Sequence, residues 1–436
     1  MTKIKEKFIV ICHSTSQMLS ADRELKLNSI ETELVPTPAE FGDICSTSIA
    51  IEAESIIYLE ELLNAKKIEH KKIRQYKSQK IDGLLQRIKD SIISHEFKEI
   101  MDKIEKGDEL KKEDIVFLLK IEGKSEKEVL LDVADQVRYK ILGDSVEIRA
   151  AIEFSNYCKK SCKYCGIRKE CTSTKRYRMS EDEILETTHN LHAMGINTVI
   201  LQSGEDDFFT LEKLISIVKR IKKETKMKIT LSLGEKSYEE YKALKEAGAN
   251  NYLLKIETTN EEIFNFIHPN DSLEERIQCS KWLRELGYVN ANGNIIGLPG
   301  QTDEDIADDI LFFKKMGIHM IGIGPFVPAK DTPFEKYKTG SVEKTLNAIA
   351  ITRIVCKNVY IPATTALASI DEDGQSKALR AGANTIMLIS TPKKYRKNYK
   401  IYSDKNMVDL ESAFKAVKDA RRKLPSYLKV GGKTNE

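Results

Sequence analysis

The sequence predicts an α/β protein whose body is a (β/α)8 barrel of the TIM type, preceded by a small α/β sandwich domain and a helical linker. Three observations carry this prediction. A pattern recurs five times from residue 147 onward, in which a helical stretch ends in Gly and an Asn or His soon after leads into an apolar run. The copies are MGINTVILQ (194), AGANNYLLKIE (247), LGYVNANGNIIG (286), MGIHMIGIG (316) and AGANTIMLI (381). Gly supplies the left-handed cap that stops a helix, and a continuous apolar run is a strand buried on both faces. Adding VEIRAAIEF (146), MKITLSLGE (227) and NVYIPATTA (358) brings the strands to eight, the number a closed barrel of roughly 250 residues needs. The polar clusters, finally, all follow strands, which puts them on one side of the sheet as barrel βα loops require. A doubly wound open sheet is the alternative arrangement of the same units.

In chain order, residues 7–13 (KFIVICH) read as a buried strand. A helical pattern, the segment IETELVPTP, an apolar run at residues 49–51, a helix near 55–65 and a short strand near 68–75 complete the small domain, residues 1–75. From Tyr76 to about Lys127 the chain is charged and helical, with Leu84, Leu85, Ile88, Ile92 and Ile93 at helical spacing. Residues 76–140 are expected to be a linker and lead-in to the barrel at 141–427.

The bulk numbers exclude several classes. Hydrophobic content of 41% with 31% charged residues is ordinary for a globular protein. A net charge of +3, from 70 basic and 67 acidic residues spread along the 436, leaves no footprint for nucleic acid or an anionic membrane. The opening apolar stretch, Phe8 to Cys12, is too short for a signal peptide or a membrane span, so a cytoplasmic location is expected. Eight cysteines without a regular framework read as reduced thiols, metal ligands or catalytic groups.

The strand ends carry the chemistry. Strand one is followed by CKKSCKYC (158), strand two by QSGEDD (202), strand three ends TLSLGE (230) and strand four LKIETT (254). Strand five ends IIGLPGQT (295), strand six GIGPFVP (322) and strand seven PATTA (362), and strand eight leads into STPKKYRKNYKIY (390). Cys158, Cys162 and Cys165 thus fall in one loop. Thiolates hold iron–sulfur clusters, and a cubane with three protein ligands keeps one iron open for a small molecule. A zinc site completed by Cys171 or a histidine, in a non-catalytic scaffold, is the alternative.

CxxxCxxC with an aromatic residue, Tyr164, before the third cysteine is the signature of the radical S-adenosylmethionine (SAM) superfamily, which this sequence resembles. The strings IEFSNYCKKSCKYCGIRK, RYRM, LQSGEDDFF, TLSLGE, YLLKIETTN, GLPGQT, DDILFFKKMGIHMIGIGPFVP, IPATTA and AGANTIM run in this order between about Phe97 and Asp409. They are similar to the HydE family of FeFe-hydrogenase maturases; biotin synthase is similar in plan. The resemblance implies that Cys158, Cys162 and Cys165 hold a 4Fe-4S cluster whose fourth iron binds SAM, with Tyr164 against the adenine. It implies that Ser203, Gly204, Glu205 and Arg276 hold SAM, and that reduction cleaves SAM to a 5′-deoxyadenosyl radical. Arg149, Thr230, Lys255, Glu257, Thr364, Thr365, Met387 and Tyr402 would line a catalytic cavity for a small polar or iron-containing substrate, in HydE a cysteine-bound iron carbonyl cyanide unit. The C-terminal part of the barrel would be of the biotin- and thiamin-synthesis-associated kind. Implied partners are a ferredoxin- or flavodoxin-type electron donor and either hydrogenase maturation proteins or a sulfur or selenium donor. Each residue also has a plainer role: Glu257 as a strand-end ion pair with Lys255, Arg276 as a surface charge, Thr364 and Thr365 as strand formers.

Three features depart from the HydE pattern. Position 255 is Lys where HydE commonly has Arg, and the two are not interchangeable in a two-pronged contact. After Met387 the chain reads LIS where Pro-Asn is expected. The N-terminal strings HSTSQML (13), LVPTPAEFGDICSTSIAI (34) and IEHKKI (68) resemble the Se/S carrier-like family, with Cys45 as the matching cysteine, followed by Ser46 in place of the usual Gly. The carrier-like domain and the two cavity changes point also to a HydE paralogue working in sulfur, selenium or other metallocofactor metabolism. Of the other thiols, Cys171 reads as a free loop thiol, and Cys12, Cys279 and Cys356 as core. The basic run Lys393 to Lys400, with Tyr395 and Tyr399, reads as a solvated barrel rim.

Overall fold

The computed structural model describes residues 6–13, 15–37, 47–66, 68–75, 93–430 and 433–434. Cys45 and the helical-spacing residues Leu84, Leu85, Ile88 and Ile92 lie outside them. In the N-terminal unit β1 (Glu6–Ile11) leads through α1 (Thr15–Leu27) to β2 (Thr32–Pro36), then β3 (Thr47–Ala53), α2 (Ile56–Ala65) and β4 (Lys72–Gln75). The strands form an antiparallel sheet in the order β2-β3-β1-β4. Alternation along β1 splits its side chains between two apolar clusters: Phe8 and Val10 pack with Met18, Leu59 and Leu63, whereas Ile9 and Ile11 pack with Val35 and Ala50.

Three helices follow, α3 (His95–Lys106), α4 (Lys112–Lys120) and α5 (Lys124–Leu142). Their apolar faces, among them Phe97, Met101, Ile115, Leu118 and Val133, belong to the same buried cluster as the outward-facing strand residues of the barrel. The described part of the linker and lead-in thus packs as part of the barrel's shell.

The barrel strands are β5 (Glu147–Ser155), β6 (Thr198–Ser203), β7 (Lys228–Ser232), β8 (Asn251–Leu253), β9 (Val289–Ile296), β10 (Met320–Pro325), β11 (Pro362–Ala363) and β12 (Thr385–Ile389). Between them run α6 (Glu181–Ala193), α7 (Leu211–Thr225), α8 (Tyr238–Ala247), α9 (Glu261–Ile267), α10 (Leu273–Glu285), α11 (Asp303–Met316), α12 (Val342–Cys356), α13 (Thr365–Ile370) and α14 (Gly374–Arg380). After β12 come α15 (Lys393–Arg396), α16 (Leu410–Asp419) and a small hairpin, β13 (Lys429–Val430) with β14 (Lys433–Thr434). All eight barrel strands are parallel neighbours in the order β10-β9-β8-β7-β6-β5-β12-β11. The two ends of that series meet: Tyr360, just before β11, donates its N–H to His319 O and accepts from Ile321 N, both at 2.8 Å. The sheet is closed, which excludes the doubly wound alternative.

The repeat legible in the sequence has a simple local cause. Gly195, Gly248, Gly287, Gly317 and Gly382 all adopt positive φ, between 61° and 119°, where a Cβ is costly, so each ends its helix and turns the chain into the next strand. Ser180, Ser237 and Thr302 open α6, α8 and α11 with reciprocal capping boxes to Glu183, Glu240 and Asp305.

Candidate functional site

The loop after β5 carries the three cysteines, and one side chain organises it. Arg176 donates to the carbonyls of Asn156, Ile167, Arg168 and Cys171, gathering both ends of the loop around a single guanidinium. Asn156 ties the same loop to later segments, donating to Lys175 O (2.9 Å) and Asn398 O (2.7 Å) and accepting from Tyr177 N (2.7 Å). The loop after β6 backs directly onto it. Gly204 N bonds Ser155 O (3.2 Å) and Lys159 N bonds Glu205 O (3.0 Å). Gly204 sits so close that a Cβ there would lie 2.2 Å from Tyr157 O and 2.7 Å from Cys158 Cβ; only glycine permits this approach. Arg178 clamps the pair of loops with a two-pronged contact to Asp206 (2.7 and 2.9 Å), which also accepts from Ser155 Oγ (2.6 Å).

Cys158, Cys162 and Cys165 are free and half-buried. Burial pushes the Cys162 thiol well above its ordinary range, with Cys165 and Cys158 adding to the effect, and pushes Cys165 up to about 12. Thiols pushed up by burial, and in Cys162 and Cys165 by neighbouring sulfurs as well, make a set that a cationic centre would hold as thiolates. His268 Nδ1 lies 3.2 Å from Cys162 Sγ. Cys171 stands apart, buried, with Sγ directed at Asp331 Oδ2 (3.5 Å), Ser173 and Thr174; among the described residues the sulfur-containing ligand group is Cys162, His268 and Asp271, without Cys171. Zinc closed by Cys171 is thus unsupported, and Cys171 is a free loop thiol as the sequence suggested, though a buried one.

Beside the thiols lies a charged cluster from four loops. Lys160 Nζ contacts Asp271 (2.6 Å) and Glu235 (3.1 Å), with Glu205 at 4.0 Å. Arg276 pairs with Glu235 (2.5 Å), approaches Asp271 (3.8 Å) and donates to Lys255 O (2.7 Å). Arg276 is buried, 7% exposed, and so is no surface charge. Burial alone would push Lys160 and Arg276 down, but their carboxylate neighbours outweigh it and hold both up. Burial pushes Glu205 up despite Lys160. Glu205, Glu235 and Asp271 thus share the cluster with Lys160 and Arg276, and Lys236 also acts on Glu205. Ser203 Oγ donates to Gly204 O (2.7 Å), within its own loop.

Lys255 and Glu257 face each other across the mouth, Nζ to Oε2 2.7 Å, so the plain ion-pair role holds in this state. Tyr164 Oη lies 3.5 Å from the other Glu257 oxygen. Glu257 has φ 64°, a conformation costing on the order of 1–3 kcal/mol for a residue with a side chain. It is held there by Glu257 N to Gly293 O (3.1 Å) and Ile295 N to Glu257 O (3.0 Å). Room for the Lys255 stem comes from the adjacent strand: a Cβ on Gly293 would lie 2.8 Å from Lys255 Cε.

The remaining sequence candidates sit deeper or to the far side. Thr230 Oγ1 accepts from Asn251 Nδ2 (2.9 Å). Arg149 grips Glu147 with two nitrogens at 2.9 Å, contacts Met320 Sδ (3.1 Å) and lies over the Tyr360 ring; much of its charge is spent inside the protein. Met387 packs against Met320, Tyr360 and Ala291. Burial pushes the Tyr402 hydroxyl up to about 12 against the opposing effect of Thr365 and Ser369, and in the loop after β11 Thr364 Oγ1 is buried without a partner among the described residues. Two interior groups escape sequence reasoning: Glu153 on β5 and Lys405, an ion pair whose side chains are 2% and 3% exposed. The basic rim is partly pinned: Tyr395 stacks on Tyr177 (4.7 Å) and Tyr399 is 1% exposed, so neither ring is offered to a base.

The donors fit an iron–sulfur cluster and SAM. Three thiols share one loop, the carboxylates beside them suit a sulfonium and an ammonium, and Thr364 Oγ1 is buried without a hydrogen-bond partner among the described residues.

Comparison with known proteins agrees with this chemistry. Residues 7–75 match the Se/S carrier protein-like family, residues 152–313 the radical SAM superfamily and residues 323–418 the biotin and thiamin synthesis associated domain. The [FeFe] hydrogenase maturase subunit HydE of Thermotoga maritima is 44% identical over 308 residues, covering 71% of this chain and 88% of that protein. The 3-methylornithine synthase of Methanosarcina acetivorans is 31% identical over 290 residues, covering 66% and 82%. Among solved structures, methylornithine synthase (PylB) superposes with a TM-score of 0.68 at 25% identity, covering 75% of this chain and 98% of that one. No helix among the described residues is long and apolar enough to cross a membrane. Members of the superfamily use a 4Fe-4S cluster and SAM. With its closed barrel, its CxxxCxxC loop and this similarity, the chain belongs to the radical SAM superfamily, as a homologue of HydE.

Proposed function

We infer that the chain reductively cleaves SAM and acts in HydE-type maturation of the FeFe-hydrogenase cofactor. The observation that carries this reading is the convergence of Cys158, Cys162 and Cys165 with the acid-rich cluster of Glu205, Glu235, Asp271, Lys160 and Arg276 at one barrel mouth. The three cysteines would hold the cluster. When bound, it supplies one electron for homolysis of SAM to methionine and a 5′-deoxyadenosyl radical.

The chain's own residues bind and orient. Arg276, already spanning Glu235 and Lys255 O, offers its guanidinium to the methionine carboxylate, while Glu205 and Glu235 receive the ammonium. Ser203 and Gly204 set the spacing between the SAM loop and Cys158. Tyr164 packs on the adenine and Glu257 accepts from ribose hydroxyls or from substrate. Lys255, Thr230, Thr364, Thr365, Met387, Tyr402 and the deeper Arg149 bound a closed cavity for a small polar or iron-containing substrate, excluding water from a radical.

Anaerobic reconstitution tests the reading. About four irons and four sulfides per chain, with 5′-deoxyadenosine after reduction, are expected; Cys162→Ala should lose both. A colourless protein that takes up zinc alone would refute it. A second reading, a paralogue acting in sulfur or selenium metabolism, is favoured by the carrier-like match at residues 7–75 and by Lys255. Complementation of a maturase-deficient strain separates the two, because restored hydrogenase requires the first. Its partners would then be the other maturation proteins and a ferredoxin- or flavodoxin-type donor.

A further inference from the structure

The three sulfurs do not have equivalent surroundings. Among the described residues no side chain hydrogen-bonds the Cys158 or Cys165 sulfur, and nearby backbone amides work against the upward push of burial on both thiols. Cys162 faces a side chain instead, His268 Nδ1 at 3.2 Å. His268 closes α9 at φ −120°, ψ 74°, and Pro269 behind it disfavours a further helical residue at this position. The chain leaves the helix there and the imidazole turns toward the cysteine loop. The ring is 3% exposed, edge-on to Tyr164 (5.5 Å, 87°) and against Phe264 (4.8 Å). Asp271 Oδ2 is 3.8 Å from Nδ1, beyond hydrogen-bond reach, and Asp271 is already engaged by Lys160 at 2.6 Å. Nε2 is buried with no hydrogen-bond partner among the described residues.

We propose that His268 is a positioning residue that donates its Nδ1–H to Cys162 Sγ and thereby raises the reduction potential of the cluster; this rests on the cysteine loop being the cluster site. A cysteine bound to iron has no proton, so its sulfur can only accept. The imidazole proton must then sit on Nδ1, leaving Nε2 as a bare acceptor, in keeping with the lack of an acceptor for an Nε2–H among the described residues. One-electron reduction adds negative charge that spreads onto the sulfurs, and a donor there stabilises the reduced form more than the oxidised one. The aromatic contacts with Tyr164 and Phe264 keep the ring from turning away. A merely space-filling histidine would occupy the same pocket without this effect, so the two are separable by a potential and not by stability.

The test uses the full chain, reconstituted anaerobically, with redox titration of the cluster followed by electron paramagnetic resonance. His268→Leu and His268→Met remove the donor while keeping apolar bulk, and His268→Asn restores an N–H near Nδ1. The expected result is full iron and sulfide content, a potential shifted to more negative values in Leu and Met, and return toward wild type in Asn. Pulsed resonance on protein with 15N-labelled histidine should show a weak coupling in wild type that is absent in His268→Leu. Equal potentials in all four proteins overturn the proposal, as does a strong coupling typical of a nitrogen bonded to iron. If Leu assembles no cluster, the Met and Asn pair decides by the same criterion. Wild-type protein that assembles no cluster refutes the proposed function itself, and this is seen before any variant is made.

Discussion

Substituting alanine for Gly204 perturbs the site through one methyl group. The added Cβ would stand 2.2 Å from Tyr157 O and 2.7 Å from Cys158 Cβ, so the two loops must part by about 1 Å to restore ordinary contact. The neighbouring backbone bonds resist this, Gly204 N to Ser155 O at 3.2 Å and Lys159 N to Glu205 O at 3.0 Å. Overpacking of this kind costs about 1–3 kcal/mol, small enough for the barrel to stay folded. The chemistry is less tolerant. A displacement of about 1 Å between groups that must react lowers rates by around 10²-fold. Iron content, melting temperature and 5′-deoxyadenosine formation by chromatography under a fixed reductant separate the two effects. Gly204→Ala should lose stability by about that amount, stay folded and form deoxyadenosine about 10²-fold more slowly. Gly107→Ala is the control: its φ of 84° with no atom within 4 Å penalises the backbone far from the loops, so it should lose stability and keep activity. Wild-type deoxyadenosine formation by Gly204→Ala at full iron content would show that loop spacing does not govern the site.

Three further outcomes follow from the same contacts. Arg176→Met strands the carbonyls of Asn156, Ile167, Arg168 and Cys171, each worth about 1–3 kcal/mol when buried and unpaired, so denaturant midpoint and iron content should both fall, with Arg176→Lys recovering only part. Arg276→Lys keeps a charge but not the fork that joins Glu235 to Lys255 O, and equilibrium dialysis should show SAM binding weakened by about tenfold or more. Burial pushes the Asp309 carboxyl up to about 7 against its bonds from Thr259 and Asn294. A raised carboxyl means the folded state binds the extra proton, so this contribution to stability is present below the unfolded value of about 4 and is lost as pH rises to about 7. Melting temperatures should therefore decline over that window in wild type and decline less in Asp309→Asn, where Asn294, whose Oδ1 lacks a partner among the described residues, can rotate to accept. Parallel declines would refute the assignment.

The barrel was legible because its signals are local. A glycine that must take positive φ, an Asn or His after it and an apolar run mark the same helix end and strand start five times, and Gly195 through Gly382 adopt that conformation. The cysteine spacing is local as well, lying within one loop. The N-terminal strands followed from short apolar runs bounded by turn residues. The segment at 95–142 was harder: high charge reads as a linker and lead-in, and only its buried face, with Phe97, Leu118 and Val133 in the barrel's cluster, assigns it to the shell.

The side chains that organise the site were mostly silent. Arg176 and Arg178 lie in a string notable only for resemblance, and nothing in their spacing says that one holds four carbonyls and the other Asp206. His268 meets Cys162 across 106 positions, and Lys405 reaches Glu153 across 252. Partners so distant in sequence leave no periodicity. Sequence alone therefore determined the kind of elements, their order and the residue types that reach the strand ends, because caps, apolar runs and motif spacing act over a few residues. Tertiary structure alone decided closure, through the His319–Tyr360 bond, and which charges neutralise which. It left Arg149 paired with Glu147 and brought Arg276 into the acidic cluster, since burial and electrostatic pairing depend on distances that exist only once the chain has closed on itself.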